Sequence, residues 1–243
     1  PSLDELSSLP GTRAQREAIA LACRAASPVL LTGETGSGKT LLAQAIAARM
    51  GRTPVVRAML GTSDDPNTMV SELYGHERGA FSGAATRRAG LVEKADGGVL
   101  ILDEVINLPL SVQQILLDFV QFQTYRPLGY AGVEPRRANV AIISVTNGDL
   151  EGAIRQGRFR KDLYYRLAGT VIHLPPLRSR RGDIPALCDM LLRRIDGSPW
   201  RLSLAARRAL LDERRAWPGN VRELEALLRR AVERACIEPS PVP

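Results

Sequence analysis

A glycine-rich run that ends in a lysine and a hydroxyl residue carries the clearest chemistry in this 243-residue chain. The run follows a short apolar segment and precedes a predicted helix that begins at Leu41. It reads Gly33-Glu34-Thr35-Gly36-Ser37-Gly38-Lys39-Thr40. Glycines let backbone N–H groups turn inward around phosphates, the lysine reaches the outer phosphate oxygens, and Thr40 offers a hydroxyl to Mg²⁺. The spacing predicts a phosphate-binding loop for a nucleotide with Mg²⁺, and a turn without a ligand is the weaker alternative.

An acidic pair, Asp103-Glu104, follows the apolar run Val99–Leu102. Alone, such a pair is usually a helix cap. Downstream of a phosphate-binding loop it is expected at the end of a neighbouring strand, with Asp103 as a second Mg²⁺ ligand beside Thr40. Glu104 then orients and deprotonates the attacking water. The two motifs together predict hydrolysis of a nucleotide.

Four further polar residues complete the predicted site. Asn147 follows the fourth predicted strand, where its amide can reach the outer phosphate or the water, although a simple turn is the alternative. Arg160 and Arg166 lie six residues apart beside an aromatic strip. They can cross a subunit interface to a neighbour's nucleotide, or form surface salt bridges instead. Arg222, in the first turn of the helix after Trp217-Pro218-Gly219, can project back to the nucleotide.

The surrounding pattern predicts the elements that position these residues. Short apolar runs alternate with helical patterns, which favours a parallel sheet covered on both faces. The runs are Val29–Thr32, Pro54–Ala58, Val99–Leu102, Val140–Thr146 and Val171–Leu174. Beyond them only helical stripes follow. We therefore expect an α/β nucleotide-binding domain over 1–175, a helical domain over 176–238, and a linker-like tail over 239–243.

Composition excludes several classes of protein. With 44% hydrophobic and 24% charged residues the chain is typical of globular proteins. It has no apolar run long enough to span a membrane and no signal pattern, so we predict no membrane contact and a cytoplasmic location. The formal charge of +7 hints at an anionic partner, yet arginine doublets on predicted helices favour solvated, salt-bridged faces. The three cysteines are expected to be buried free thiols.

One further loop identifies a family. It reads Gly79-Ala80-Phe81-Ser82-Gly83-Ala84 and is preceded by Gly75-His76-Glu77-Arg78. With the phosphate loop, L-D-E, T-N, F-R-K-D-L-Y-Y-R-L, L-P-P-L-R and W-P-G-N-V-R-E-L in order, it resembles the central AAA+ domain of bacterial enhancer-binding proteins, the activators of sigma-54 RNA polymerase. The resemblance spans nearly the whole chain and implies an AAA+ core followed by a helical lid.

That resemblance assigns roles to the candidate residues. It implies a Mg²⁺-dependent ATPase that assembles into a homo-oligomeric ring, a hexamer, with Asn147 as sensor I and Arg222 as sensor II. Arg160 and Arg166 match the arginines that act on the neighbouring subunit. The loop from Gly79 to Ala84 matches the segment that contacts the sigma-54 RNA polymerase holoenzyme. DNA binding is expected in a helix-turn-helix domain outside this chain.

The sequence departs from the family pattern at several places, among them Asn107 in place of an aspartate after the acidic pair and a slightly long, arginine-bearing segment from Leu128 to Ala138. Ser82 replaces a threonine at the loop tip, and Met59 stands where the family has the asparagine that restrains the catalytic glutamate. These departures leave a second interpretation open, in which nucleotide binding is a structural switch without remodelling. A third, a motor that acts directly on DNA, draws on the positive charge, although the Phe81 loop argues against it.

Overall fold

A computed structural model describes residues 3–24, 27–60, 65–195 and 200–237, without the side chains of residues 7, 8, 10 and 235–237. The predicted tail 239–243 and the side chain of Cys236 lie outside these residues. The chain divides into two compact units. The sheet unit comprises Glu17–Thr32 and Thr40–His173, and the lid unit comprises Pro1–Arg16, Gly33–Lys39 and Leu174–Pro243.

Nine strands occur in the described ranges. They are β1 Val29–Thr32, β2 Val55–Met59, β3 Gly75–His76, β4 Arg88–Ala89, β5 Val99–Asp103, β6 Thr124–Tyr125, β7 Arg136–Arg137, β8 Ala141–Thr146 and β9 Thr170–His173. Five of them form a parallel sheet in the order β2-β5-β8-β1-β9. The predicted parallel sheet is confirmed, with strand ends shifted by no more than one residue.

Eleven α-helices occur in the same ranges. They are α1 Leu3–Ser8, α2 Arg16–Ala22, α3 Lys39–Arg49, α4 Pro66–Tyr74, α5 Leu91–Lys94, α6 Leu110–Phe122, α7 Leu150–Arg155, α8 Lys161–Leu167, α9 Ile184–Arg194, α10 Leu204–Leu211 and α11 Asn220–Ile237. Helix α3 begins two residues before the predicted Leu41, because the phosphate-loop lysine already lies in its first turn. None of these helices is long and apolar enough to cross a membrane.

The core of the sheet unit explains why β5 has no polar residue before its acidic end. All five β5 side chains are buried, as expected for a central parallel strand covered on both faces. One continuous apolar cluster surrounds it and includes Leu30, Leu73, Leu100, Leu102, Leu116, Phe119 and Leu163. The outer strand β2 differs, because Val55, Arg57 and Met59 are exposed on one of its faces.

The lid unit is built from amphipathic helices, as predicted. The stripe Val221, Leu224, Leu228 and Val232 is buried along α11, and Ile184, Leu187 and Leu191 are buried along α9. Ser203 caps α10 by accepting a hydrogen bond from the Ala206 N–H at 3.1 Å.

The prediction for the cysteines was partly wrong. Cys188 is a buried free thiol in α9, whereas Cys23 is a free thiol that stays half-buried just after α2. The apolar helical context of Cys23 misled the prediction, since α2 has only seven residues and Cys23 follows its last turn.

Candidate functional site

The phosphate loop lies in the lid unit and adopts the strained backbone that its glycines permit. Gly36 has φ +76°, a region that side-chain-bearing residues rarely occupy. The Lys39 ammonium donates to the Glu34 carbonyl at 2.9 Å, so it turns back over its own loop. The Ser37 hydroxyl is buried and finds no hydrogen-bond partner in the part of the chain that the structure describes. A buried donor of this kind suits a loop that accepts an anion.

The start of α11 holds the same loop through its backbone. The Val221 and Arg222 N–H groups both donate to the Gly36 carbonyl, at 2.9 and 3.3 Å. They are among the N–H groups that have no partner within a helix at its first turn. Arg222, the predicted sensor II residue, therefore lies beside the phosphate loop with an exposed side chain.

Asn220 joins three segments of the lid unit with one buried side chain. Its Nδ2 donates to the Glu34 carboxylate at 3.2 Å and to the Thr35 carbonyl at 3.0 Å. Its Oδ1 accepts from the Leu177 N–H at 2.7 Å. Asn220 is fully buried and has φ +52°, a conformation that asparagine tolerates better than most residues. Sequence analysis used only Arg222 from this motif and missed Asn220.

Two arginines extend the contacts of the phosphate loop. Arg178 forms a bidentate pair with Glu34, with N–O distances of 2.7 and 2.5 Å, and this hydrogen bonding raises the pKa of Arg178. Both side chains are about half exposed, so solvent screens much of the pair's contribution. Arg180 is buried, donates to the Ser37 carbonyl and lies 3.5 Å from Asp183. Burial lowers the pKa of Arg180, while Asp183 opposes that shift.

The sheet unit brings the predicted metal ligands together. The Thr40 hydroxyl donates to Asp103 Oδ2 at 3.2 Å, because the first turn of α3 and the end of β5 meet there. A hydroxyl and a carboxylate oxygen are hard ligands of the kind that Mg²⁺ prefers, so these residues fit that ion. Arg57, on β2, also donates to Asp103 Oδ2, through Nε at 3.1 Å and through Nη2. Sequence analysis missed this arginine.

Glu104 and Asn147 lie together at the ends of adjacent strands β5 and β8. The Asn147 N–H donates to Glu104 Oε2 at 3.3 Å. Glu104 has φ +60°, an unfavourable value for a residue with this side chain. Backbone strain of this sort is common at functional positions. Met59 is more than half exposed at the end of β2, in register with Asp103, and its thioether cannot replace an amide.

Arg160 and Arg166 lie at the two ends of the short helix α8. Arg160 precedes the first turn, and its backbone N–H donates to the buried Gln113 side chain at 2.8 Å. Its guanidinium pairs with Asp162 at 2.7 Å, which raises the pKa of Arg160 and lowers that of Asp162. Arg166 is exposed. The surface salt bridge weighed as an alternative is present at Arg160, and Gln113 is a further residue that sequence analysis missed.

The loop from Gly79 to Ala84 presents an aromatic ring to solvent. Phe81 is 46% exposed and makes an edge-to-face contact with His76, with ring centroids 5.0 Å apart. The His76 Nδ1 lies 2.8 Å from the Ser71 hydroxyl. A cavity of about 530 Å³ is lined by His76, Phe81, Arg88 and residues of α4.

The base of this loop is anchored by the segment that follows β6. The Glu77 N–H donates to the Leu128 carbonyl, and the Leu128 N–H donates to the Gly75 carbonyl, both at 2.9 Å. Arg136 of β7 pairs with the Glu77 carboxylate at 2.6 Å. The loop therefore projects from a fixed base.

Residues 7–173 match the family described as "Sigma-54 interaction domain", and residues 178–238 match the "AAA+ ATPase lid domain". The chain is 45% identical over 211 residues to a Nif-specific regulatory protein of Azotobacter vinelandii, covering 84% of the chain and 39% of that protein. It is 41% identical over 234 residues to the DNA-binding transcriptional regulator NtrC of Escherichia coli, covering 94% and 49%. The chain thus spans half or less of these relatives.

Solved structures agree with the family match. NtrX from Brucella abortus in complex with ATP superposes with a TM-score of 0.83 at 31% identity, covering 97% of this chain and 52% of that one. Hsp104 bound to ATPγS and casein has a TM-score of 0.72 at 20% identity, which shows the AAA+ fold alone. The sheet, the lid and the ordered motifs lead to one assignment: the chain belongs to the sigma-54 interaction domain family of AAA+ ATPases, the family of the sigma-54-dependent enhancer-binding proteins.

Proposed function

We propose that this chain is a Mg²⁺-dependent ATPase that assembles into a hexameric ring and remodels the closed complex of sigma-54 RNA polymerase. The observation that carries the proposal is the junction at Lys39-Thr40. Lys39 belongs to the phosphate loop, and the next residue, Thr40, bonds Asp103 beside Glu104. One peptide bond thus links the phosphate-binding residues to the residues that fit a metal ion and a water molecule.

Glu104 is the proposed general base for hydrolysis. It takes a proton from water as the water oxygen attacks the γ-phosphorus of ATP, and the bond to the β–γ bridging oxygen breaks to release ADP and phosphate. Asn147, bonded to Glu104 through its N–H, is the proposed residue that orients the water or the γ-phosphate. Lys39 and the loop amides from Gly33 to Leu41 hold the phosphates. Thr40 and Asp103 are the residues that would hold Mg²⁺, which would supply positive charge to the phosphates.

Arg160 and Arg166 are proposed to act on the nucleotide of the neighbouring subunit, and Arg222 on the nucleotide of its own subunit. Positive charge on the transferring phosphoryl group stabilises the transition state. The exposure of Arg166 on α8 supports a role outside its own subunit. A head-to-tail contact that closes on itself gives a ring, in which each site borrows arginines from the next chain.

The loop from Gly79 to Ala84 is the proposed contact with the sigma-54 holoenzyme. Half-exposed Phe81 offers a large contact area with few rotatable bonds to immobilise, so it binds at small entropic cost. Such a partner places the protein in the cytoplasm. DNA binding is assigned to a helix-turn-helix domain beyond this chain, since the relatives are about twice as long or longer.

Phosphate release by purified protein tests the enzyme. Specific activity should rise with protein concentration and vanish in Glu104→Gln. Mixing inactive Lys39→Ala with inactive Arg166→Ala should restore activity, because about one quarter of random ring interfaces pair an intact loop with an intact arginine. Turnover that is independent of concentration, with no recovery on mixing, contradicts shared sites. Nucleotide binding without turnover in the wild type favours the structural switch.

Open-complex formation by sigma-54 holoenzyme tests the loop. Phe81→Ala should keep ATPase activity and lose activation. Phe122→Ala is the matched control, since Phe122 is a phenylalanine at the end of α6 that is more exposed than Phe81 and lies outside the loop. Activation that survives in Phe81→Ala, or that is lost equally in Phe122→Ala, contradicts the assignment.

A further inference from the structure

Asp103 is held by a cation from its own unit. Its side chain is only 8% exposed, and its Oδ2 accepts from Arg57 through Nε and Nη2 as well as from the Thr40 hydroxyl. A nearly buried carboxylate needs such partners, because burial without compensation is costly. The Arg57 side chain is 38% exposed, in contrast to the nearly buried carboxylate that it bonds.

Because of its position on β2, the Arg57 side chain has to extend along the strand to reach Asp103. In the sheet register Arg57 lies opposite Ile101, whereas Asp103 lies opposite Met59. The guanidinium therefore extends by two residues toward the carboxyl end of the strand to reach Asp103. A planar group with several donors suits this approach better than a single ammonium.

The oxygen that Arg57 bonds is the oxygen nearest Thr40. Asp103 Oδ2 and the Thr40 hydroxyl are the pair that fits a divalent cation, so the guanidinium and the cation seek the same negative charge. The Arg57 guanidinium and a divalent cation repel each other when both lie at the same carboxylate oxygen, so each weakens binding of the other. The exposed side of Arg57 leaves it room to withdraw without opening the core.

We propose that the Arg57 guanidinium competes with Mg²⁺ for the Asp103 carboxylate. Arg57 bonds Asp103 when no nucleotide is bound, and it releases Asp103 when MgATP or MgADP binds. The inference rests on the proposed Mg²⁺-dependent ATPase. Arg57 is thereby a positioning residue that sets the Mg²⁺ concentration at which the site loads. Binding of the Mg²⁺–nucleotide complex would therefore release the Arg57 guanidinium from Asp103. The released group lies on β2 beside Met59, the position at which the family has the asparagine that restrains the catalytic glutamate.

Binding of N-methylanthraniloyl-ADP, followed by fluorescence across a MgCl₂ titration from EDTA, separates this role from catalysis. Arg57→Gln removes the charge, and the half-saturating Mg²⁺ concentration should fall about threefold to tenfold, the range for a partly screened charged hydrogen bond. Arg57→Lys keeps the charge but offers an ammonium in place of the two guanidinium donors, so the half-saturating Mg²⁺ concentration should fall less than in Arg57→Gln. Thermal unfolding without nucleotide reports whether each variant folds.

Arg52→Gln is the matched control. Arg52 lies in the sheet unit just before β2 and bonds the Gly97 and Asn139 carbonyls at 3.2 and 2.7 Å, near the amino ends of β5 and β8. Arg52→Gln removes one positive charge without changing a contact of Asp103, so the half-saturating Mg²⁺ concentration should not change. In an Asp103→Asn background Arg57→Gln should have no further effect.

Each failure has its own signature. The competition is contradicted if the half-saturating Mg²⁺ concentration is unchanged or higher in Arg57→Gln. It is also contradicted if that concentration falls equally in Arg57→Lys or in Arg52→Gln. In either case the contact between Arg57 and Asp103 is a structural ion pair only. If the wild type binds no nucleotide, or binds it with the same affinity in EDTA and MgCl₂, the proposed Mg²⁺-dependent function fails instead.

Discussion

Two glycine-rich loops in this protein use the same backbone freedom for opposite purposes. Gly36 in the phosphate loop and Gly79 in the loop from Gly79 to Ala84 have φ of +76° and +81°. A Cβ added to Gly36 would lie 2.4 Å from the Gly219 carbonyl oxygen, whereas one added to Gly79 would meet no described atom within 4 Å. Glycine is required by space and conformation in the first loop, and by conformation alone in the second.

The neighbours of the two loops explain the difference. The phosphate loop is bonded by Asn220, Val221, Arg178 and Arg180, so its carbonyls face partners from the helices of the lid unit. The second loop bonds mainly within itself, as in the Gly79 N–H to the Ala84 carbonyl at 2.8 Å. This difference agrees with the proposed roles: a loop that binds phosphates through its N–H groups benefits from being fixed in advance, whereas a loop that contacts a protein partner needs only a fixed base.

The largest effect is expected for Gly36→Ala. The methyl group meets a backbone carbonyl that cannot swing away, and alanine resists the positive φ, so the loop must rearrange at a cost of about 2–4 kcal/mol. Nucleotide affinity should fall at least about thirtyfold, measured by fluorescent ADP titration.

Gly79→Ala is the matched variant on the other side of the comparison. The free-energy cost is about 1 kcal/mol and comes from the positive φ alone, since the added Cβ meets no described atom within 4 Å. Nucleotide affinity should stay unchanged, and any loss should appear in open-complex formation. Equal losses of nucleotide affinity in the two variants would show that the two loops are constrained alike.

A smaller effect is expected for Asn220→Asp, which tests what fixes the phosphate loop. The aspartate keeps the acceptor for the Leu177 N–H and tolerates the positive φ, but it faces the Glu34 carboxylate and the Thr35 carbonyl without donors. A cost of about 2–3 kcal/mol should lower nucleotide affinity about tenfold or more.

Glu34→Gln supplies the control for Asn220→Asp. In the double variant the glutamine amide can donate to the new carboxylate, so affinity should partly recover. The single Glu34→Gln change loses the charge of the exposed pair with Arg178 but keeps an amide oxygen that can accept from Asn220, so it should cost less than Asn220→Asp. If the second substitution gives no recovery, Asn220 acts through general packing rather than through its contact with Glu34.

Much of this arrangement could be predicted because its signals are local. Apolar runs and glycine spacing predicted the sheet and the phosphate loop, and the family resemblance added the order of motifs. Thr40 and Asp103, which lie 63 residues apart, were both predicted as Mg²⁺ ligands, because an acidic pair after an apolar strand downstream of a phosphate-binding loop is typical of a metal site.

Arg57, Asn220 and Gln113 were missed for a different physical reason. Each acts by reaching a distant segment, and neither periodicity nor spacing encodes which segment that is. Arg57 did leave a signal, since an arginine within the apolar run of β2 needs a partner or an exposed face. Asn220 left one as well, at a helix start where asparagine is favoured, but its contact with Glu34 spans 186 positions.

The smallest effect is expected at the base of the second loop. The His76 ring holds Phe81 in an edge-to-face contact that is worth about 0.5–1.5 kcal/mol. If Phe81 leaves His76 when the proposed partner binds, His76→Ala removes a competing contact, and affinity for the sigma-54 holoenzyme should rise about twofold to tenfold. ATPase activity should not change.

Ser71→Ala serves as the graded control for His76→Ala. It deletes the 2.8 Å contact with His76 Nδ1 but leaves the ring, so its effect on partner affinity should lie between those of the wild type and His76→Ala. A loss of affinity in His76→Ala as large as that in Phe81→Ala would mean that His76 itself contacts the partner. The partner-binding surface would then include the fixed residue His76 as well as the loop tip. Only the segment from Gly79 to Gly83 would then differ from the phosphate loop, in that it bonds mainly within itself.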